Sequence, residues 1–511
     1  MATQQSPLSA SETASCSTPG YPIELRKRKR SGSGSQPARE YGLMRDTGEH
    51  DVARFVGSGS GIHYIRAVYL RLARRSATRS STQTGTTINT LVPGEDDQLR
   101  QSASDMANRE KPLWNSHEVL PCQQGATTSP SFDDLVEWSK SFFESWHPAL
   151  PFLHGPDALR IFEDASTRGV SSLSNLDYVI LRSILSIVLA DSRQGLPLTK
   201  PIPSNLVFQS VEEAVTSSQF ALSQPASIRA TQAALAVQLF LTSMLCLNAA
   251  SRLGGLIVRM AFHLGLHRCP TRFPFFTPKE ASLRRRVLWC IYTLERLLCQ
   301  SLGLPLDIRD DDLDVCYPGE ERHGTCNDEG AERLQLLTYL AKHARIRGLI
   351  LELRNKSIQQ RQDTADRTAF VQTELAKWSN EIQDVVEEEE EGDHSSDSEA
   401  HSPPKLSPSH RLMLLVLKHE SAICLNRPGL ASDPSSPSYS SAFQACISAA
   451  KSICILLKRH RKRYKLKTDG SGKRLALPLL WPSFTWAVWI SLFVLIHAAI
   501  ENQVPLSSSL R

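Results

Sequence analysis

His263 and His267 stand four residues apart, a spacing that lets one helix face present both rings, as the ligands of helical zinc sites do. Between them lie Leu264, Gly265 and Leu266, with no glutamate to act as a base and no third ligand close by. The pair therefore reads as core or capping histidines, and no metal site is assigned. The chain carries no G-x-S-x-G, H-E-x-x-H, Walker or kinase signature, which removes the enzyme classes that those motifs announce. No catalytic residue and no cofactor follow from the sequence. Val56-Gly57-Ser58-Gly59-Ser60-Gly61 spaces its glycines as G-x-G-x-G, with no Lys-Ser or Lys-Thr behind them, and predicts a flexible helix entry in place of a phosphate cradle. The 11 cysteines include no C-x-x-C pair, against a disulfide framework, a zinc ribbon or a thioredoxin-like site, and predict buried thiols in a reducing compartment.

The remaining candidates are clusters of charge. The formal net charge of the 511-residue chain is only +5, too small for a protein that coats nucleic acid along its whole length. Arg26, Lys27, Arg28, Lys29 and Arg30 form an unbroken basic run within Ser-, Pro- and Gly-rich sequence, where five like charges stay solvated and suit an acidic import receptor. A second basic stretch, read as a loop, runs from Lys458 to Lys467. The N-terminus lacks the basic-then-apolar order of a secretory signal.

Positioning these groups falls to helices. Leu253, Ile257, Met260 and Leu264 recur at helical spacing, as do Leu283, Val287, Ile291, Leu294 and Leu298, and prolines fall between the stripes. The class predicted is all-α: a multi-helix bundle with a disordered N-terminal tail, a linker and an acidic insertion. Residues 1–49 are the basic tail, and 50–74 a short amphipathic helix marked by Ile62, Ile65, Val68 and Leu72. Residues 75–130 are the linker and 131–386 the helical domain. Residues 387–410 hold the insertion, with eight acidic groups between Glu387 and Glu399, and 411–511 the last helices. In the 283–298 stripe, Arg284, Arg285 and Glu295 are expected off the buried face, with Trp289 packed on a neighbouring helix. Ile291→Ala should then destabilise by about 2–5 kcal/mol and Arg285→Ala little. The apolar run Leu475–Ile500 can be read as a membrane anchor near 483–500, but Pro478, Pro482, Ser483, Thr485, Ser491 and His497 favour a buried bundle helix.

One segment carries a resemblance. Arg284-Arg285-Arg286-Val287-Leu288-Trp289-Cys290-Ile291-Tyr292-Thr293-Leu294-Glu295-Arg296, followed by Gly303-Leu304-Pro305 and the acidic residues from Asp310 to Asp314, resembles the regulatory domain of fungal zinc binuclear cluster transcription factors of the xylanolytic-activator type. Leu264-Gly265-Leu266-His267, Trp146-His147-Pro148, Pro151-Phe152-Leu153-His154, and His419 with Asn426-Arg427-Pro428 are similar to further parts of that domain, in the same order. The resemblance implies a nuclear transcriptional regulator with Arg284, Arg285, Arg286, Trp289, Tyr292, Glu295, Arg296, Gly303 and Pro305 as its motif residues. It implies zinc-cluster transcription factors or coactivators as partners, homo- or heterodimers, and a small-molecule effector. The six-thiolate zinc cluster of that family cannot form here, because only Cys16 precedes Cys122. DNA is therefore expected to be contacted weakly or through a partner, unless an upstream segment of a longer protein supplies the cluster. Glu295 and Leu304 stand where Asp and Arg are usual, so an ion pair built on those positions is expected to be altered or lost. An enzyme using the bundle interior is the remaining reading.

Replacing Arg26 to Arg30 with Ala should move a fluorescent fusion from nucleus to cytoplasm; unchanged nuclear signal would transfer the import role to Lys458–Lys467 or to a partner.

Overall fold

The computed structural model describes residues 43–46, 53–79, 113–121, 130–193, 198–320, 331–355, 364–387, 406–431, 435–466 and 482–502, all within one unit spanning Glu40–Arg511. The basic run Arg26–Arg30 and most of the acidic insertion lie outside the described residues. In chain order come β1 (Leu43–Asp46), β2 (Ala53–Val56), α1 (Gly61–Arg79), β3 (Val119–Leu120), α2 (Phe132–Ser141), α3 (Gly155–Thr167) and α4 (Asn175–Ser192). Then follow β4 (Ile202–Pro203), α5 (Val211–Ser217), α6 (Phe220–Ser223), α7 (Ile228–Ser243), α8 (Leu247–His263) and α9 (Pro278–Leu302). The last elements are α10 (Gln335–Asn355), α11 (Thr364–Glu381), α12 (Gln383–Glu387), α13 (Pro408–Asn426), α14 (Pro437–Leu466) and α15 (Pro482–Ile500). The architecture is all-α, as the apolar periodicity requires. Strand pairing among the described residues is limited to antiparallel β1–β2 and parallel β3–β4.

Local chemistry sets the helix ends. The hydroxyls of Ser131, Ser174, Ser210, Ser227 and Ser407 each accept an N–H of the first turn of the helix that follows. α9 begins with a full capping box between Thr277 and Glu280, with Pro278 in its first turn, and ends at Gly303, whose φ of 72° is the left-handed conformation that glycine adopts without strain. Around α9 pack α8, α10, α7 and α1, while α13, α14 and α15 form the adjoining layer.

Several expectations are corrected. From Val287 to Leu302 every residue of α9 is buried, so this part of the helix has no solvent face. Arg285 (2% exposed) and Glu295 (3%) are inside the protein and not off the buried face. A helix wrapped on all sides shows an apolar stripe in sequence but must bury its polar positions too, and Arg285→Ala is accordingly a core substitution. His263 and His267 do not share a helix face, because α8 stops at His263 and Gly265 turns the chain at φ 68°. The expected linker 75–130 is helical up to Arg79, and 113–121 is docked by buried Trp114, whose indole N–H donates to Phe208 O at 2.6 Å. Residues 43–46, assigned to the tail, pair as β1. The basic stretch from Lys458 is no loop: its residues up to Leu466 continue α14, since Lys and Arg are good helix formers and neither Gly nor Pro interrupts them.

α14 is long and apolar enough over Pro437–Lys462 to cross a membrane by length and composition. It lies against α13 and α15. α15, the segment considered as an anchor, buries Phe484, Trp486, Ile490, Phe493, Val494 and Ala498 within the bundle.

The glycine-rich segment before α1 is a buried strap and not a flexible entry. Gly57 N–H donates to Leu302 O at 3.1 Å, and Ser60 Oγ donates to Ser301 O at 2.6 Å, so the strap caps the open end of α9. A Cβ on Gly57 would sit 1.9 Å from Gly303 O, so the two backbones meet where neither residue tolerates a side chain. Gly57→Ala is therefore expected to destabilise by about 1–3 kcal/mol or more. Gly255→Ala, inside α8 with open space around its Cβ position, should stabilise by about 0.5–1 kcal/mol. Denaturant unfolding of both variants checks the pair, and a harmless Gly57→Ala would contradict the close approach.

Candidate functional site

The motif residues converge on the C-terminal half of α9 and the chain that returns along it. Glu295 and Arg296 are consecutive in sequence and both buried, and Arg296 Nη1 donates to Glu295 Oε2 at 2.6 Å. The other carboxylate oxygen of Glu295 accepts Asp307 N–H at 2.7 Å and the Cys299 thiol at 3.4 Å. Arg296 Nη2 reaches Asp310 Oδ1 at 2.6 Å, where the Tyr292 hydroxyl also donates at 2.6 Å. The guanidinium lies over the Tyr292 ring, 4.3 Å from its centroid. Gly348 of α10 makes room for it, because a Cβ there would stand 2.7 Å from Arg296 Nε. Glu295 thus pairs with its own neighbour and with the loop backbone, while Leu304 carries no charge and forms no ion pair.

Burial pushes the Glu295 carboxyl up and the Arg296 charge pulls it back, while three donors converge on it as they do on a carboxylate. For Arg296 burial works against the charge, but Glu295, Tyr292 and Asp310 outweigh it and hold the guanidinium protonated. The network extends outward through Arg345, whose Nε is 3.9 Å from Asp310 Oδ2 and whose Nη1 is 3.3 Å from Glu374 Oε2. Trp289 is buried as expected, though its partner is a loop and not a helix: its indole N–H donates to Cys316 O at 2.9 Å and its ring stacks on Tyr317 at 4.5 Å.

The basic triplet opening the motif ties α9 to two other sequence landmarks. Arg284 Nη1 donates to Leu264 O at 3.0 Å, at the C-terminal end of α8 where a cation is favoured. Arg286 Nη1 lies 3.4 Å from Pro151 O and 3.5 Å from Leu153 O. That segment is also held by Gln232, which donates to Phe152 O at 2.8 Å. Before it, Trp146 donates to Asp191 Oδ2 at 2.6 Å, and burial raises the Asp191 carboxyl to about 7. Pro305 is exposed, and its carbonyl oxygen, 3.3 Å from Cys299 Sγ, competes with Glu295 for the one thiol hydrogen.

Glu295, Cys299 and Asp307 place donor atoms within 4.8 Å of one another, a geometry that can in principle hold a cation. The chemistry does not fit. Burial keeps the Cys299 thiol protonated, Glu295 is committed to Arg296 and to the Asp307 N–H, and a metal would face the guanidinium.

Sequence reasoning missed the second half of this centre. Arg427 is buried, donates through Nη2 to Gly59 O in the strap, and lies 5.7 Å from the centroid of the Tyr64 ring. Arg347 of α10 pairs with Glu420 of α13 at 2.8 Å, both buried. The Asn426-Arg427-Pro428 sequence was the signal available for Arg427; nothing in the sequence pairs Arg347 with a residue 73 positions away.

Arg296→Met keeps the length of the side chain but leaves Glu295 and Asp310 without their cation, so the loss expected is about 3–5 kcal/mol. Thermal unfolding that showed a change near zero would mean that the carboxylates are solvated.

Comparison with known proteins places this centre inside a recognised domain. Residues 140–384 match the fungal specific transcription factor domain. The probable transcription factor FUP6 of Fusarium proliferatum is 26% identical over 96% of this chain and 73% of its own length. The transcriptional activator protein acu-15 of Neurospora crassa is 22% identical over 46% of this chain and 26% of its own. An uncharacterized transcriptional regulatory protein of Schizosaccharomyces pombe, C530.08, is 47% identical over 11% of this chain and 6% of its own. No solved structure matches significantly. Residues 140–384 thus match the fungal specific transcription factor domain, and the chain is similar over most of its length to a probable fungal transcription factor.

Proposed function

We propose that the chain acts in the nucleus as a non-catalytic regulatory module, whose bundle docks zinc-cluster transcription factors or coactivators and responds to a small-molecule effector. The observation that carries this reading is the strap. Gly57 and Ser60 are bonded to the last turn of the motif helix, and Gly59 to Arg427, so whatever precedes residue 57 in the chain is coupled to the packing of the bundle. A ligand or partner that favours one packing over another shifts the population of strap-docked states by its differential affinity. Arg26–Arg30 serve import in this reading, and homo- or heterodimers form through the bundle.

In this reading base-specific contact with DNA is made outside these 511 residues, by a zinc-cluster partner or by an upstream segment of a longer protein. One cysteine in the first 121 residues cannot build a six-thiolate cluster, and basic segments alone give phosphate contacts that are lost as salt rises. Binding-site selection with the purified chain should return no reproducible motif, with retention falling steeply between low and physiological salt. The same selection with an added zinc-cluster factor should return that factor's motif with this chain in the complex. A reproducible motif from the chain alone would overturn the indirect reading.

A further inference from the structure

A cavity of about 70 Å³ opens where the strap, α1, the turn after α13 and α15 meet. Its polar side is made of donors. Arg427 is 5% exposed, with Nη2 committed to Gly59 O and a buried Nη1 that has no partner. Arg71 donates to His497 Nε2. Because an arginine only donates, that ring nitrogen is the acceptor, and a neutral His497 carries its proton on Nδ1, 3.2 Å from the Tyr64 oxygen. The Tyr64 hydroxyl hydrogen is thereby left to point elsewhere, and burial keeps it in place by raising the phenol well above its ordinary range. No carboxylate lines the cavity. Glu420, the buried acid of α13, is bonded to Arg347. The rest of the lining includes the apolar side chains Ala67 and Val68, between Tyr64 and Arg71 on one face of α1, and Leu430.

A buried guanidinium edge with no acceptor, a second arginine, a free phenol proton and apolar side chains ask for a small ligand with an anionic end and a hydrocarbon end. We propose that this cavity is the effector site and takes a short-chain carboxylate, whose carboxyl group meets Arg427 and Tyr64 and whose alkyl end lies on Ala67, Val68 and Leu430. The proposal rests on reading the bundle as an effector-sensing module. A tetrahedral phosphate would have to turn an oxygen onto the apolar side chains, and a neutral amide would leave the arginines without a counter-charge. Bound there, the ligand bridges α1, the turn at Arg427 and α15, so it tightens the strap against the bundle.

The test is thermal unfolding of the purified full chain with butyrate, butyramide or inorganic phosphate, each at about 20 mM. For weak, millimolar binding the expected rise in Tm with butyrate is about 1–3 °C, with none for butyramide or phosphate. Ala67→Leu fills the apolar part without replacing a donor and should abolish the rise. Tyr64→Phe keeps the ring and should remove most of it, and carries the test should Ala67→Leu fail to fold. Absence of a butyrate response, an equal response to butyramide or phosphate, or full responses in both variants would overturn the proposal. A reporter gene separates it from the broader reading: a butyrate shift lost in Ala67→Leu with an indifferent reporter leaves the site and removes the sensing role. A reporter that answers to Ala67→Leu, with no butyrate shift in the native chain, does the reverse.

Discussion

A guanidinium and a carboxylate at adjacent positions of a helical stretch with no solvent face are the constraint to which the rest of the bundle answers. Two buried charges are tolerated only when hydrogen bonds complete most of the geometry, because their desolvation otherwise outweighs their mutual attraction; here both Nη atoms of Arg296 are bonded and only Nε is left without a partner. That requirement explains why the chain leaving α9 folds back along it: Asp307 supplies its backbone N–H to Glu295 and Asp310 its carboxylate to Arg296. It explains why α10 carries glycine at 348, opposite the guanidinium. It also accounts for part of the acidic run after α9. One of its three consecutive aspartates, Asp310, is the outer counter-ion of a core arginine, and Tyr292 holds it in place.

A buried ion pair of this kind is weak as a source of stability and strong as a source of specificity. An apolar core slides by small rearrangements, whereas Glu295–Arg296 is satisfied in one register of α9 against α10 and the returning loop. The second buried pair, Arg347–Glu420, fixes α10 against α13 in the same way. Between them they tie the domain matched by the family model to the helices that follow it.

Helix class, the stripe of α9 and the buried character of α15 were legible because they depend on periodicity and composition, which are local. The burial of Arg285 and Glu295 was not, since a helix enclosed on all sides differs from a half-buried one only in what surrounds it. Charged residues at such positions look like a polar face. The strap was misread for a related reason. Gly57 and Gly61 are small so that another backbone and α15 can come close, whereas in sequence a G-x-G-x-G run with serines is the signature of flexibility. The basic half of α14 shows the opposite error, a charge run taken for a loop although nothing in it breaks a helix. The resemblance located the motif helix and marked Arg427, but it carried no information about Tyr64 and His497, which meet Arg427 only in three dimensions.

The strap and α1 also set the order in which the chain can mature. Ser60 bonds Ser301 across 241 positions, Gly59 is held by Arg427 368 positions later, and Tyr64 meets His497 433 positions later. Contacts so distant along the chain form late, because the entropy of closing the loop precedes any gain from the contact. On a ribosome adding about 5–20 residues per second, α1 emerges and waits roughly 20–90 s before its last partner has been made. Until α9 has been made, Ile62, Ile65 and Val68 have no partner helix among those that α1 finally packs on, and until α15 follows that packing is incomplete. The closing of the strap is then the molecule's own report that its C-terminal helix has been synthesised and folded.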